Sequence, residues 1–142
     1  MKDQTILVTG GGGFLGGAIV RQLLARGARV RSLSRQLYAA LEQAGVEQFQ
    51  GSLSDRDAVG KAVAGCEIVF HVAAKAGVWG SYESYHQTNV TGTENILSAC
   101  REHGVQRLVY TSSPSVVFNG TDMEGIDESV PYPRRFLNLY SE

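Results

Sequence analysis

The 142-residue sequence predicts an α/β fold, in which a doubly wound parallel sheet carries helices on both faces. Short apolar runs of strand length alternate with helical stretches along the chain. One of these runs, Glu67–Ala73 (EIVFHVA), is almost continuously apolar, which is typical of a parallel strand covered on both sides. The helical connections suit the right-handed crossovers that join parallel strands.

The first strand and the first helix are the most clearly marked elements. Thr5–Val8 is an apolar run of strand length that stops at a row of glycines. Leu15, Ile19 and Leu23 then recur every four residues, which predicts a helix. Gly27 stands where such a helix commonly ends.

The same criteria predict the remaining elements. Ser54 or Asp55 is expected to cap the third helix at its start. Strands are predicted at Val30–Leu33, Val46–Phe49, Glu67–Ala73 and Val105–Tyr110, and helices at Leu37–Ala44, Asp55–Val63 and Asn89–His103.

The last predicted helix is amphipathic, with Ile96, Leu97 and Cys100 expected to face inward. After Ser113 the chain contains several prolines and glycines and is predicted to be irregular. We therefore expect a single, incomplete domain over residues 1–142, truncated after about five strands.

The composition excludes several classes of function. The net charge is −1 with acids and bases interspersed, which favours neither nucleic acid nor an anionic membrane as a partner. No run approaches the roughly 20 apolar residues of a membrane span, and the N-terminus does not resemble a signal peptide. The expected location is cytoplasmic.

Metal binding and disulfide formation are not expected either. Cys66 and Cys100 lack a CxxC spacing and are interpreted as small buried apolar residues. His71, His86 and His103 show no metal-ligand spacing.

Glycines at a fixed spacing, Gly10-x-x-Gly13-x-x-Gly16, separate the first strand from the first helix. In this context the first glycine permits a tight turn, the second lets a pyrophosphate approach the backbone, and the third lets the helix pack close to the sheet. N–H groups at the helix start, at Phe14 and Leu15, are expected to face the phosphates. The spacing predicts a dinucleotide site; the alternative is a glycine-rich turn without a ligand.

The end of the second strand indicates which dinucleotide is bound. An acidic residue there would hydrogen-bond the ribose 2′-hydroxyl of NAD, but Ser34 occupies that position and Arg35 follows. Because a guanidinium suits a 2′-phosphate, this favours NADP, with NAD as the alternative. Arg31 is a weaker candidate, since it alternates to a different face of the strand.

Five ordered motifs resemble the extended short-chain dehydrogenase/reductase family, whose fold is Rossmann-like: TGGGGFLG, FHVAA, NVTGTENIL, YTSSPSVVF and DESVPYP. The chain is most similar to the 3β-hydroxysteroid dehydrogenase branch, including sterol-4-carboxylate 3-dehydrogenases and bacterial 2-alkyl-3-oxoalkanoate reductases. The resemblance covers essentially the whole chain. It implies an NAD(P)-dependent oxidoreductase that acts on a bulky apolar small molecule, either a 3-hydroxysteroid or a 3-oxo or 3-hydroxy acid with long alkyl chains, and it implies a homodimer.

The resemblance also implies a catalytic Ser and a Tyr-x-x-x-Lys pair. The serine maps to Ser113, with Ser112 and Ser115 as nearby alternatives. The tyrosine maps to Tyr140, because each of the other tyrosines is followed four places on by a residue other than lysine. The matching lysine would lie beyond Glu142, so we expect an N-terminal portion of a longer enzyme, inactive by itself.

Further cofactor contacts are implied at the end of the fourth strand. Ala73 and Ala74 would leave space for ribose and nicotinamide, or are small only for tight packing. Lys75 would reach the nicotinamide ribose or phosphates, or is a solvated lysine. Asn89 would act in a catalytic water relay, or only as a helix N-cap.

The third strand of such proteins is often followed by GDxxD, which here reads GSLSD. Ser52 replaces the aspartate that would contact adenine, and Leu53 is expected to cover the adenine edge. In the loop after the fourth strand, an apolar and aromatic group would form a lid over a hydrophobic substrate, or pack on the rest of the protein: Val78, Trp79, Tyr82 and Tyr85.

Two other functions stay open from the sequence. One is a sugar-nucleotide epimerase or dehydratase, which would hold NAD tightly. The other is a non-catalytic dinucleotide-binding module, which the missing lysine favours and the retained Ser113 and Tyr140 disfavour.

Overall fold

Five parallel strands form one sheet in the computed structural model, which describes residues 1–77 and 79–142. The strands are β1 (Thr5–Thr9), β2 (Arg29–Ser34), β3 (Glu47–Gln50), β4 (Ile68–His71) and β5 (Arg107–Tyr110). Their order across the sheet is β3-β2-β1-β4-β5. The expected doubly wound α/β fold is confirmed.

Helices connect the strands. They are α1 (Phe14–Ala25), α2 (Ala39–Gln43), α3 (Arg56–Val63), α4 (Tyr82–Tyr85) and α5 (Gly92–Glu102). A π-helical turn, His86–Thr91, joins α4 to α5, and a 3₁₀ turn, Pro114–Val116, follows β5. No helix among residues 1–77 and 79–142 has the length and apolar character needed to cross a bilayer.

The strand order reverses between β1 and β4. From β1 the chain moves outward through β2 to β3, then crosses back to β4 on the other side of β1. Thr9 at the end of β1 pairs in register with Leu33 and with His71, so the carboxyl ends of these strands lie level. Such a reversal opens a crevice at the carboxyl ends, where ligands bind in α/β sheets.

The core lies on both faces of the sheet, because successive β1 side chains point to opposite sides. Ile6 and Val8 pack with Val20 of α1. Leu7 packs on the other face with Val59 of α3 and Ile96 of α5. Burial of both faces explains why the strands are nearly continuous apolar runs.

Most predicted bounds agree with the structure within about two residues. Asp55, rather than Ser54, is the N-cap of α3, where its carboxylate accepts hydrogen bonds from the N–H groups of Asp57 and Ala58 at 3.0 and 3.1 Å. β4 ends at His71 instead of Ala73, because the N–H groups of residues 72 and 73 bond to the Thr9 side chain.

The predicted helix Asn89–His103 starts too late in the chain, and one of its three expected inward residues was predicted wrongly. The helical stretch begins at α4, where Ser81 is the N-cap, and passes through the π-helical turn before α5. Leu97 is 37% exposed rather than inward. Gly92, Ile96, Ala99 and Cys100 form the buried face of α5, and Leu97 lies on its flank.

Both cysteines are buried free thiols. Burial raises the pKa of Cys66 and of Cys100. They contribute to the core cluster on the α3 and α5 side of the sheet.

Candidate functional site

A cleft of about 1120 Å³ lies at the carboxyl ends of the strands, around the reversal of strand order. This volume is large enough for an extended ligand. Every predicted cofactor residue except Asn89 lines the cleft: Gly10, Gly13, Phe14, Leu15, Gly16, Ser34, Arg35, Ser52, Leu53, Ala73, Ala74 and Lys75. Residues from four separate loops therefore share one cavity.

The turn after β1 requires glycine for backbone reasons. Gly10 has a φ of +71°, a conformation that other residues rarely adopt. A Cβ at Gly10 would also lie 3.2 Å from Ala73 Cα, and a Cβ at Gly16 would run into the Gly10 carbonyl. The turn is closed by the Gly13 N–H, which donates to the Gly10 carbonyl at 2.9 Å.

The start of α1 opens toward the cleft. Gly13 is its N-cap and has no side chain to accept from the first N–H groups of the helix. Phe14 and Leu15, the first helical residues, line the cavity and are exposed. Unpartnered N–H groups and the positive end of a helix dipole are suited to bind phosphate.

Gly11 and Gly12 have structural roles that the spacing motif did not reveal. A Cβ at Gly11 would stand 2.6 Å from Ser32 Oγ, and a Cβ at Gly12 would overlap the ring of Tyr38. Tyr38 lines the cleft, and its backbone is fixed by Gln48, which accepts from the Tyr38 N–H and donates to its carbonyl, at 2.8 and 3.1 Å. The sequence contained no signal for Tyr38 beyond its place after β2.

At the end of β2, Ser34 and Arg35 line the cleft as expected. Ser34 Oγ is buried, and no described residue gives it a hydrogen-bond partner. Arg35 is exposed, and its carbonyl accepts from Gln50 Nε2 at 3.2 Å. Arg31 is engaged elsewhere, because its guanidinium binds Glu47 at 2.7 Å.

The loop after β3 combines a polar turn with a core residue. Ser52 Oγ lies 2.8 Å from Ser54 Oγ, so its hydroxyl is engaged within the turn. Leu53 is 7% exposed and packs against Gly92 of α5, while still lining the cleft. Its carbonyl accepts from Asn95 Nδ2 at 2.9 Å, which fixes the loop on α5.

The segment after β4 is held by Asn89, which does not itself line the cleft. Asn89 Oδ1 accepts from the Lys75 N–H at 2.7 Å, and Asn89 Nδ2 donates to the Lys75 carbonyl at 3.0 Å. The predicted N-cap role of Asn89 is wrong, since Asn89 lies inside the π-helical turn. Lys75 is half-buried, with Nζ 5.1 Å from the Tyr85 ring centroid.

A buried network beneath the cleft was also missed by sequence analysis. Thr9 Oγ1 lies 2.9 Å from His71 Nδ1, and Thr93 Oγ1 lies 3.1 Å from His71 Nε2. Burial lowers the pKa of His71 to about 4, so the imidazole is neutral at pH 7. Only the apolar setting of His71 in the strand indicated that it would be buried.

The two predicted catalytic residues lie outside the cleft lining in the described part of the chain. Ser113 begins the 3₁₀ turn, and its Oγ accepts from the Ser115 N–H at 3.2 Å. Tyr140 is half-buried, and its N–H donates to Asn138 Oδ1 at 3.0 Å. Thr111, just after β5, is the residue of this region that does line the cleft.

The expected lid is described only in part. Val78 lies outside the described residues, whereas Trp79 is 89% exposed. Tyr85 is buried, and its hydroxyl donates to the Gly77 carbonyl at 2.8 Å.

Known proteins are similar to this chain in sequence and in fold. The chain is 52% identical over 140 residues to a 2-alkyl-3-oxoalkanoate reductase of Shewanella oneidensis, a match that covers 99% of the chain and 36% of that protein. The chain thus spans less than half the length of this relative.

Two solved structures match the architecture over 97% of the chain. A short-chain dehydrogenase/reductase superfamily protein from Agrobacterium tumefaciens with bound NAD has a TM-score of 0.85 and 30% identity, with 41% of that protein covered. Thermus thermophilus UDP-glucose 4-epimerase in complex with NAD has a TM-score of 0.79 and 34% identity, with 46% covered. These neighbours bind a nicotinamide dinucleotide.

The fold and the glycine turn agree with a family model that matches residues 7–142. On this match, the chain belongs to the 3-beta hydroxysteroid dehydrogenase/isomerase family.

Proposed function

We propose that the protein containing this chain is an NAD(P)-dependent oxidoreductase. It transfers a hydride between the nicotinamide and a secondary alcohol or ketone of an apolar substrate. The observation that carries the proposal is the cleft, in which the glycine turn, the end of β2 and the segment after β4 converge. The substrate class is a 3-hydroxysteroid or a long-chain 3-oxo or 3-hydroxy acid, as the family and the Shewanella relative suggest.

Residues 1–142 are proposed to be the dinucleotide-binding part of the protein. The start of α1 binds the pyrophosphate through its N–H groups. Gly10 and Ala73 line the cleft without bulky side chains, which leaves room for the cofactor. When bound, the nicotinamide supplies or accepts the hydride.

Ser113 and Tyr140 are proposed to handle the substrate oxygen. The Ser113 hydroxyl hydrogen-bonds this oxygen and stabilises its developing charge. Tyr140 gives or takes the hydroxyl proton. The lysine that activates the tyrosine, and the remaining substrate contacts, are proposed to lie in the part of the protein that corresponds to the unmatched length of the relatives.

NADP is proposed as the preferred cofactor. The buried Ser34 hydroxyl lacks a partner among the described residues, and the exposed Arg35 follows it at the edge of the cleft. A guanidinium and a hydroxyl together suit a ribose 2′-phosphate.

The cofactor is tested by measuring dissociation constants for NADPH and NADH in the full-length protein. Arg35→Ala is expected to weaken NADPH binding about 10- to 100-fold and to leave NADH binding nearly unchanged. Arg31→Ala is the matched control, because Arg31 lies in β2, shortly before Arg35 in the chain, and its guanidinium binds Glu47 instead. Equal effects of Arg35→Ala on both cofactors would contradict the NADP preference, and no dinucleotide binding at all would overturn the function.

The reaction is tested with 3-hydroxysteroids and long-chain 3-oxo acids by following NADPH absorbance. Tyr140→Phe is expected to lower the turnover rate about 10²- to 10⁴-fold. Tyr132→Phe provides a control, because Tyr132 is 73% exposed and has no proposed role. Equal turnover of the Tyr140→Phe and wild-type proteins would remove Tyr140 from the mechanism.

A cytoplasmic homodimer is part of the proposal. Val90 and Leu97 are 42% and 37% exposed on the segment from the π-helical turn to α5, and a partner copy would cover them. Leu97→Glu is expected to shift the molar mass measured by light scattering from dimer to monomer.

The second candidate is a sugar-nucleotide epimerase, favoured by the similarity to the Thermus thermophilus epimerase. Conversion of UDP-glucose without net change in the cofactor would support it. Net oxidation or reduction of an apolar alcohol or ketone supports the first proposal instead.

A further inference from the structure

A buried hydrogen-bond network joins β1 to β4 directly beneath the cleft. Thr9 and His71 are the last residues of the two strands and pair in register. Their relative exposures are 0% and 1%. Polar groups this deeply buried are costly unless each one has a partner.

The hydrogen-bond partners of Thr93 and His71 determine which group donates in each bond of the network. The Thr93 hydroxyl donates its single hydrogen to the Asn89 carbonyl at 2.6 Å, so Thr93 must accept from His71 Nε2. A neutral His71 then has no hydrogen on Nδ1, which accepts from Thr9 Oγ1.

The Thr9 oxygen completes the network. Its two lone pairs accept from the backbone N–H groups of Val72 and Ala73, both at 3.0 Å. Because these N–H groups bond to a side chain, strand β4 ends at His71. The same bonds place Ala73 beside Gly10. One end of the network therefore fixes the backbone of Ala73, which lines the cleft.

The other end reaches the segment after β4. Thr93 binds the backbone of Asn89 in the π-helical turn, and the Asn89 side chain holds both backbone groups of Lys75. π-Helical turns frequently occur at functional sites. Ala73 and Lys75, which both line the cleft, are thus positioned from opposite sides of the same imidazole.

We propose that His71 is a positioning residue of the cleft, acting as the neutral Nε2–H tautomer through Thr9 and Thr93 on the placement of Ala73 and Lys75. An apolar residue of similar size would fill the core, but it would leave the Thr9 hydroxyl hydrogen without an acceptor and remove the N–H that Thr93 accepts. This inference rests on the proposed function, because it takes a dinucleotide as the ligand of the cleft.

The test compares Thr9→Val, which removes the hydroxyl, with Thr9→Ser, which keeps it. In the full-length protein, Thr9→Val is expected to weaken NADPH binding about tenfold, while Thr9→Ser stays within about twofold of wild type. Thr5→Val makes the same chemical change at the distant end of β1 and is expected to leave binding unchanged. A folded Thr9→Val protein with wild-type affinity would overturn the proposal.

A second variant and a spectroscopic measurement keep the test decisive if Thr9→Val does not fold. Thr93→Val, at a half-buried position of α5, is expected to weaken NADPH binding similarly, with rescue by Thr93→Ser. Nitrogen NMR of the histidine rings is expected to show a protonated Nε2 and an unprotonated Nδ1 for His71 at pH 7. The opposite tautomer would refute the hydrogen-bond network even if NADPH binds. A wild-type protein that has the expected tautomer and binds no dinucleotide would refute the proposed function, and with it the role of His71 in dinucleotide binding.

Discussion

The aromatic ring of Tyr38 occupies the space that a side chain at Gly12 would need. Gly12 is exposed in the turn between β1 and α1, whereas Tyr38 is half-buried and anchored by two hydrogen bonds from its backbone to Gln48. The contact ties the glycine turn after β1 to the loop that follows β2. Glycine is therefore needed at position 12 because the Tyr38 ring fills the adjacent space. Gly13, in contrast, lines the cleft.

Gly12→Ala is expected to lower the free energy of unfolding by about 1–3 kcal/mol, because the anchored ring cannot move away freely. Adding Tyr38→Ala removes the clash, so the double variant is expected to lose less than the sum of the two single changes. Urea unfolding of the four proteins measures this coupling. Strict additivity would show that the ring does not constrain Gly12.

Gly16→Ala and Gly60→Ala are expected to have opposite effects, although both glycines lie in helices. A Cβ at Gly16 would run into the Gly10 carbonyl, so this change should destabilise the turn and abolish dinucleotide binding. A Cβ at Gly60 meets nothing within 4 Å, so alanine should stabilise α3 by about 0.5–1 kcal/mol. Thermal unfolding of both variants, with NADPH titration of the folded ones, tests the contrast. Equal destabilisation by the two changes would contradict it.

Asn89→Asp is expected to remove one of the two hydrogen bonds that the Asn89 side chain makes to the Lys75 backbone. The carboxylate still accepts from the Lys75 N–H, but it has no hydrogen to donate to the Lys75 carbonyl and repels it. We expect a loss of about 1–3 kcal/mol in unfolding free energy and weaker cofactor binding.

Asn119→Asp is the matched control for this change. Asn119 Oδ1 only accepts, from the N–H and hydroxyl of Thr121, and a carboxylate keeps both bonds. Its expected effect on unfolding is below about 0.5 kcal/mol. Similar losses in the two variants would argue against a specific role for the Asn89 amide.

Acid is expected to destabilise the fold through His71. Burial lowers its pKa to about 4 in the folded chain, below the value of about 6.5 for an unfolded histidine. The unfolded state therefore binds the extra proton first, and stability falls as pH drops from about 6.5 to 4. The full loss is about 3 kcal/mol.

Urea unfolding at several pH values between 7 and 4 measures this loss. His71→Gln removes the titrating group, so its stability should decline less over this range than that of wild type. The difference between the two slopes isolates His71 from the carboxylates, which both proteins share. Parallel slopes would contradict a buried neutral histidine.

Asp55→Ala is expected to cost about 1 kcal/mol, because the N–H groups of Asp57 and Ala58 lose their acceptor at the start of α3. Asp55→Asn keeps an oxygen at the same place and should stay within a few tenths of a kcal/mol of wild type. Thermal unfolding distinguishes the two. An equal loss in both would indicate that the charge, and not the cap, is what stabilises the helix.

Much of the fold was predictable because the governing signals are local. The periodic apolar stripe of α1 and the buried run of β4 specify their elements directly, and alternating strands and helices leave few topologies. The cleft residues were predictable for the same reason: the ends of parallel strands meet at one edge of the sheet, so loops far apart in sequence share a cavity.

Other features depend on neighbours that only folding brings together. The orientation of Leu97 follows the face that α5 turns to the sheet after the π-helical turn. Gly11 and Gly12 look like spacers until Ser32 and Tyr38 are placed beside them.

The sequence by itself determined the parallel α/β architecture, the glycine turn and part of the lining of the cleft, because periodicity and short-range spacing encode them. Only the tertiary structure decided how the cleft is held: His71 between Thr9 and Thr93, and Asn89 on the backbone of Lys75. These contacts join positions far apart in the chain, and a buried polar group takes its role from whichever partners the packed fold supplies.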